Sequence, residues 1–253
     1  MQERRIALSV LIFMNVIWGS TFFLIKNGVE ALGRCTGSLP TGAPMNADAL
    51  VTAGILFLLL RFGLATLSML PFTWNARGEL ARPALWRDAF LLALPCAAGF
   101  ALQTAGLSLT SPGISAFLTS LYVPLTPVAA WAIFRLGLPR GLLPALSLAM
   151  IGLCVLTPPG TPSFSTGEAL SAACGAAFAV QIALADRLTR AHDATTLTLA
   201  MLILMTGMFA ALFWAAPANP DSLSPAAIRA IAGDPKAWFP LVYTATAATV
   251  FPF

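Results

Sequence analysis

The chain has 253 residues, of which 58% are hydrophobic and only 9% are charged, and its net charge is +4. Soluble domains usually have about 25% charged residues, so this composition excludes most soluble enzymes and binding domains. The basic residues lie at the ends of apolar segments and not along one face, which excludes a nucleic-acid partner as the reason for the positive charge.

Eight largely apolar segments, each close to the ~20 residues that span a bilayer as a helix, follow one another along the chain. They predict an all-α membrane protein with eight transmembrane helices. A cleavable signal peptide is the alternative for the first segment, but its length and the lack of a small-residue cleavage site favour a retained helix. A short surface helix is also predicted at Pro225–Gly233. The predicted spans are 6–25, 53–72, 89–109, 113–134, 141–157, 169–185, 195–216 and 237–253.

Lys and Arg are distributed unevenly between the two sides of these spans. Nine lie on the side of the N-terminus and four on the other side, so the positive-inside rule predicts a cytoplasmic N-terminus. We expect a multi-pass protein of the cell membrane, specifically a bacterial inner membrane. The nine are Arg4, Arg5, Arg77, Arg82, Arg87, Arg135, Arg140, Arg187 and Arg190, and the four are Lys26, Arg34, Arg229 and Lys236.

A weak internal repeat relates the two halves of the chain. Residues 17–24 are similar to residues 177–184, and residues 90–102 are similar to residues 241–253. Five spans would form the first half, and because five is odd the second half enters the membrane from the opposite side, as in inverted-repeat transporters. The pattern predicts a ten-helix, 5+5 inverted-repeat transporter fold. Its second half stops within its third span, so we also expect the chain to be C-terminally incomplete.

Short motifs follow one another along four of the spans. They are Ile17-Trp18-Gly19-Ser20-Thr21-Phe22 with Lys26, Leu60-Arg61-Phe62 with Ala65, Gln103-Thr104-Ala105-Gly106-Leu107, and Ser115-Ala116-Phe117-Leu118-Thr119-Ser120-Leu121 with Pro124 and Pro127. At these residues the chain resembles EamA-type members of the drug/metabolite transporter superfamily. The resemblance implies a first EamA repeat at 1–160 (spans one to five) and an incomplete second repeat at 161–253 (spans six to eight). It also implies a cytoplasmic N-terminus and the movement of a small metabolite or drug, usually outward.

Polar side chains inside predicted spans are candidates for substrate binding, because polar groups in lipid are costly. Asn15 and Trp18 are three residues apart and share a helix face, and Ser20 lies in the same span. An indole beside an amide suits an amphipathic organic substrate. Close helix packing through small and hydroxyl side chains is the alternative for all three residues.

Further candidates lie in later spans. Gln103 and Gln181 are amides within apolar segments, and each either lines a polar cavity or bonds a neighbouring carbonyl. Tyr122 and Thr126 lie in the segment 122–127, whose two prolines remove backbone donors and predict a kink. A broken span can offer carbonyl groups to a ligand, although kinks also serve packing alone.

Arg61 is the only charged residue in the interior of a predicted span. Its Cα would lie roughly 12 Å from the start of that span at ~1.5 Å per residue. From there the side chain can extend to the interface. Binding an anionic group and anchoring the helix are both open interpretations.

Several absences narrow the function. No Asp or Glu lies in the interior of a predicted span, so no intramembrane carboxylate is available as a proton carrier. The sequence has no GxxxxGK motif, and His192 has only Asp193 beside it, so neither ATP hydrolysis nor metal or triad chemistry is indicated. We expect no enzyme activity, no cofactor and no metal site.

The sequence therefore predicts a secondary transporter, specifically an exporter of small metabolites or drugs that works by alternating access. Its expected partners are a small-molecule substrate and the lipid bilayer, without nucleic acid, and a homodimer is left open. The alternative is a non-transporting membrane component or a truncated gene fragment. An intramembrane enzyme would need a His/Asp/Glu/Ser constellation at membrane depth, which the predicted spans lack.

Overall fold

The computed structural model describes residues 2–37, 47–73, 77–156, 165–215 and 220–250, and all regular structure in these ranges is helical. A π-helical turn, Thr246–Val250, continues the last helix, and two short 3-10 helices lie at Leu70–Thr73 and Pro220–Leu223. The helices are α1 (Gln2–Cys35), α2 (Ala47–Met69), α3 (Arg77–Leu80), α4 (Pro83–Leu109), α5 (Pro112–Thr119), α6 (Tyr122–Phe134), α7 (Leu142–Leu156), α8 (Thr166–Leu188), α9 (Ala194–Ala215), α10 (Pro225–Gly233) and α11 (Pro235–Ala245).

Six helical segments in the described ranges are long and apolar enough to cross a membrane. This confirms the predicted all-α membrane architecture and supports six of the eight predicted spans. The other two predicted spans correspond to α7 and to α11 with its π turn, which are helical but shorter than the ~20 residues of a full crossing in the described ranges. The six segments are Ile12–Cys35, Val51–Thr73, Pro83–Leu109, Pro112–Phe134, Thr166–Leu188 and Ala194–Ala215.

The first span ends later than the sequence predicted. Residues 26–34 contain several polar side chains and were expected to end the helix, but α1 continues to Cys35. Ile25, Val29 and Leu32 are almost fully buried and lie at helical spacing, so this turn packs against its neighbours on one face. The extension places Glu30 within a candidate span, and the longer α4 and α8 likewise include Asp88, Glu168 and Asp186, whereas the shorter predicted spans had no carboxylate in their interior.

The fourth span is broken between α5 and α6 at Ser120 and Leu121. The sequence predicted a kink from the prolines of 122–127, and the break lies just before them. Pro124 has no N–H to donate to the carbonyl four residues earlier, which belongs to Ser120. That carbonyl accepts from the N–H of Val123 at 3.0 Å instead, so the chain tightens locally.

The main helix interfaces of the bundle are those of α4 with α8, α2 with α9, α4 with α9, α6 with α8 and α1 with α11. Glycines allow two of these close approaches. A Cβ at Gly28 would lie 2.8 Å from Pro240 of α11, and one at Gly99 would lie 2.6 Å from the Phe178 ring of α8. Stacking of Phe62 on Phe209, with ring centroids 5.5 Å apart, holds α2 against α9.

Candidate functional site

The interface between α1 and α11 has a cavity at each end. The N-side cavity, of about 800 Å³, lies near the N-terminal half of α1, and the C-side cavity, of about 570 Å³, lies near its C-terminal half. The N-side cavity is lined by Phe13, Ile17, Met69, Phe72, Thr195, Thr246, Ala247 and Val250. The C-side cavity is lined by Leu24, Asn27, Glu30, Arg34, Pro235, Lys236, Trp238, Phe239 and Pro240.

Two hydrogen bonds join α1 to α11 and its π turn between these cavities. Trp18 Nε1 donates to the Ala248 carbonyl at 3.1 Å, and the hydroxyls of Ser20 and Tyr243 are 2.9 Å apart. Ser20 also donates to the carbonyl of Ile17 at 2.7 Å, so the hydroxyl of Tyr243 is the donor to Ser20. We call Trp18, Ser20, Tyr243 and Ala248 the closing layer.

Ala248 of the closing layer lies within the π turn Thr246–Val250. Threonines loosen the helix before it, because their hydroxyls compete with the backbone for carbonyl oxygens. Thr244 donates to the carbonyl of Pro240 and Thr246 donates to that of Val242, both at 2.7 Å. π turns are rare in proteins overall, and those that occur often lie at functional sites.

Arg61 lies against the same π turn. Its side chain is only 3% exposed, and its Nη2 donates to Thr249 Oγ1 at 3.2 Å. The guanidinium carbon lies 5.2 Å from the centroid of the Phe62 ring and 4.6 Å from that of Phe100. The guanidinium is therefore enclosed by the bundle and does not extend to its surface.

Three of the eight residues predicted for the site thus meet at α11 and its π turn, namely Trp18, Ser20 and Arg61. Asn15 is exposed on α1, one turn before Trp18. Gln103 is buried in α4.

The other three predicted residues lie elsewhere. Tyr122 and Thr126 are half-buried on α6, which packs against α8, and Gln181 is half-buried on α8 itself. The hydroxyl of Thr126 donates to the Tyr122 carbonyl at 2.7 Å. In the described ranges, none of the eight residues lines either cavity.

Sequence reasoning missed the contribution of the last helix. Tyr243, Thr244 and Thr249 are polar residues within the predicted eighth span, so the criterion that selected Trp18 and Ser20 would also have selected them. Ala248 has no such signal, because it takes part through its backbone carbonyl.

A second polar cluster lies on the N-terminal side of the bundle. The His192 side chain is 6% exposed, with Nε2 2.9 Å from Asp88 Oδ2 and Nδ1 3.4 Å from Glu79 Oε1. The N–H of Asp193 donates to the same Glu79 oxygen at 3.1 Å. This cluster ties the α8–α9 loop to α3 and α4. Within the described residues, no group of three or more histidine, cysteine or carboxylate side chains is placed to hold a metal ion.

Comparison with known proteins gives one informative similarity. The chain is 25% identical over 189 residues to a protein of Archaeoglobus fulgidus described as an uncharacterized transporter. The similar region covers 74% of this chain and 51% of the relative, so the chain spans about half the length of the curated relative it matches. No family model matches the sequence, and no solved structure matches it.

Proposed function

We propose that this chain forms a secondary transporter that moves small metabolites or drugs across the cell membrane by alternating access. The main support is the α1–α11 interface, where a cavity lies on each side of the closing layer. Alternating access requires a substrate site that is reached from one side at a time. Ile17 lines one cavity and Leu24 the other, and these residues are about 10 Å apart along α1.

Helix pairing supports the inverted-repeat part of the proposal. In a 5+5 repeat, α1, α2 and α4 correspond to α8, α9 and α11. Exchanging the two halves then converts the α4–α8 interface into the α11–α1 interface. The same exchange leaves the α2–α9 interface unchanged, because these two helices correspond to each other. All three of these interfaces are present. We therefore propose repeats at 1–160 and 161–253.

Aromatic contacts support the same relationship. The repeat aligns Trp18 with Phe178, and it aligns Ala97 with Ala248. Trp18 crosses to Ala248, and Phe178 crosses to Phe100, three residues from Ala97, with ring centroids 5.0 Å apart. Trp18 and Phe178, which correspond in the repeat, therefore each contact the opposite half at positions that correspond to within three residues.

The finer features of the proposal come from the sequence and from similarity. The relative is described as a transporter, and the EamA-type motifs favour the drug/metabolite transporter superfamily and outward movement. The loop charges favour a cytoplasmic N-terminus, so that the N-side cavity faces the cytoplasm. We propose that the protein crosses a bacterial inner membrane with eight spans. Of the predicted binding residues we propose Asn15, Trp18, Ser20, Gln103 and Arg61 for the pathway. Tyr122, Thr126 and Gln181 stay predictions of the sequence.

Solute flux in proteoliposomes tests the proposal. The protein would be reconstituted into vesicles loaded with labelled amino acids, nucleosides, organic acids or drugs. We expect saturable movement of one class that unlabelled solute on the opposite side accelerates. A reducible bis-thiol crosslinker that joins cysteines placed at positions 20 and 243 should stop the movement, and reduction should restore it. Flux no faster than in empty vesicles for every class would contradict transport and favour a non-transporting membrane component.

A further inference from the structure

Arg61 has more hydrogen-bonding capacity than the surrounding protein uses. Nη2 donates to Thr249, while Nε and Nη1 are enclosed and have no acceptor in the described part of the chain. No carboxylate in that part forms an ion pair with the guanidinium. We propose that Arg61 binds the carboxylate of an amphipathic organic monoanion, and that this is the substrate class. The inference rests on the transporter function proposed above and adds the chemistry of its substrate.

The positive charge is only partly compensated by its neighbours. The rings of Phe62 and Phe100 face the guanidinium and attract it, but cation–π attraction is weaker than the cost of removing an ion from water. The hydroxyl of Thr249 is a neutral acceptor and adds one hydrogen bond. An anion at this position would supply both the missing charge and the missing acceptors.

The geometry of the guanidinium indicates where that anion binds. A guanidinium presents two edges to a carboxylate, Nε with Nη2 and Nη1 with Nη2. Both edges of Arg61 include Nη2, whose two N–H groups lie one on each edge, and Thr249 Oγ1 accepts from only one of them. A carboxylate can therefore bind the edge that Thr249 leaves open, and displacement of the hydroxyl opens the other edge as well. Thr249 keeps a partner after displacement, because its hydroxyl also donates to the Thr244 carbonyl at 2.7 Å.

The π turn separates Arg61 from the N-side cavity. Thr246, Ala247 and Val250 line that cavity, while Thr249, within the same turn, contacts Arg61. A π turn differs from an α-helix by one residue per turn, so a local rearrangement of Thr246–Val250 would move Thr249 away from the guanidinium. The carboxylate would then reach Arg61 from the cavity.

The lining of the N-side cavity defines the rest of the ligand. Phe13, Ile17, Met69 and Phe72 supply apolar contacts, and none of the described residues that line the cavity is charged. Because Arg61 is a single positive charge, it is neutralised by a monoanion, and a phosphate dianion would leave one negative charge in an apolar site. The ligand is therefore a carboxylate with an apolar or aromatic body.

A pair of matched probes tests this site by binding, without transport. Phenylpropanoate carries the carboxylate, and phenylpropanamide has the same shape without the charge. Their binding would be measured by thermal unfolding and tryptophan fluorescence of the full chain in nanodiscs, for the wild type, Arg61→Gln, Thr249→Val and the control Arg229→Gln. Arg229 lies exposed on α10, and its side chain donates to the Pro225 carbonyl of the same helix.

We expect the wild type to bind the carboxylate at least about tenfold more tightly than the amide, since hydrogen bonds to charged groups are the stronger ones. Arg61→Gln should abolish this preference, and Arg229→Gln should leave it unchanged. Thr249→Val should increase the affinity for the carboxylate, because it removes a neutral acceptor and leaves both N–H groups of Nη2, and hence both edges of the guanidinium, open to the anion. A purely structural role of Arg61 would not produce that gain.

Equal affinity of the wild type for the two probes, or no gain in Thr249→Val, would overturn the anion site. If Arg61→Gln does not fold, these two comparisons still decide the matter, because both retain Arg61. Flux of neutral solutes in proteoliposomes without carboxylate preference would leave the proposed transport standing and remove only this inference. Arg61-dependent carboxylate binding without flux of any solute would support the anion site and contradict the proposed transport.

Discussion

Ser20 and Tyr243 bring their hydroxyl oxygens to 2.9 Å although they are 223 positions apart in the chain. Each lies on a helix that has a cavity on either side of the contact. Because the Ser20 proton is given to the carbonyl of Ile17, Tyr243 donates in this pair. The bond therefore joins α1 and α11 at the level where the two cavities are separated.

Removing either hydroxyl should weaken this contact. Tyr243→Phe and Ser20→Ala should each lower the free energy of unfolding by ~1 kcal/mol, and the double variant should lose less than the sum of both. Unfolding in nanodiscs measures this coupling. Ser120→Ala is the matched control, because the exposed hydroxyl of Ser120 donates to the Phe117 carbonyl of its own segment and not across a helix interface. Additive losses at Ser20 and Tyr243 would show that the two hydroxyls do not interact.

Trp18 should contribute through both its ring and its N–H. Trp18→Phe keeps an aromatic ring but removes the donor to Ala248, so we expect an intermediate loss of transport, and Trp18→Ala should cause a larger loss than Ser20→Ala. Initial rates of solute flux measure the series. Trp214→Phe, at a ring that is 75% exposed, is the control. If Trp18→Ala and Ser20→Ala have equal effects, Trp18 serves packing.

Gly99 should not tolerate a methyl group. A Cβ at this position would lie 2.6 Å from the Phe178 ring, so Gly99→Ala should lower the free energy of unfolding by ~1–3 kcal/mol. Phe178→Leu in the same chain should recover part of this loss. Gly207→Ala is the control, because a Cβ there meets nothing within 4 Å, and alanine should stabilise that helix by ~0.5–1 kcal/mol. Thermal unfolding of the four variants measures both effects, and equal stability of the two alanine variants would contradict the close α4–α8 approach.

The buried pair of His192 and Asp88 should be stronger than an exposed pair on the same side of the bundle. His192→Gln or Asp88→Asn removes one partner of a contact whose side chains are 6% and 7% exposed, and we expect a loss of ~1–3 kcal/mol with strong coupling in the double variant. Asp186 and Arg190 form the exposed comparison, at 70% and 75% exposure, where we expect a coupling near zero. Similar couplings for the two pairs would contradict the enclosure of His192.

The sequence predicted the features of the fold that depend on neighbouring residues. The apolar segments predicted the spanning helices, Pro124 and its neighbour Pro127 predicted the broken fourth span, and Pro225–Gly233 was confirmed as a helix. The predicted end of α1 was wrong. The polar residues after Lys26 lie on one face of a helix whose opposite face is buried by tertiary packing, so the helix continues to Cys35.

The candidate site was less predictable, because it depends on residues that are distant in the chain. Trp18 and Ser20 were identified as polar residues in a span, but their partners on α11 could be found only from the fold. His192 was set aside as isolated, since its contact with Asp88 joins residues 104 positions apart. The threonines before the π turn are visible in the sequence, but they do not predict that the turn places Thr249 on Arg61.

Accessibility of the two cavities from opposite sides of the membrane tests the central claim most directly. Single cysteines would replace Phe13 in the N-side cavity and Leu24 in the C-side cavity, in a chain whose own cysteines are changed to alanine. A thiol reagent that cannot cross the membrane should label position 13 only from the cytoplasm and position 24 only from outside. Labelling of both positions from the same side would contradict a pathway closed between them by Trp18, Ser20, Tyr243 and Ala248.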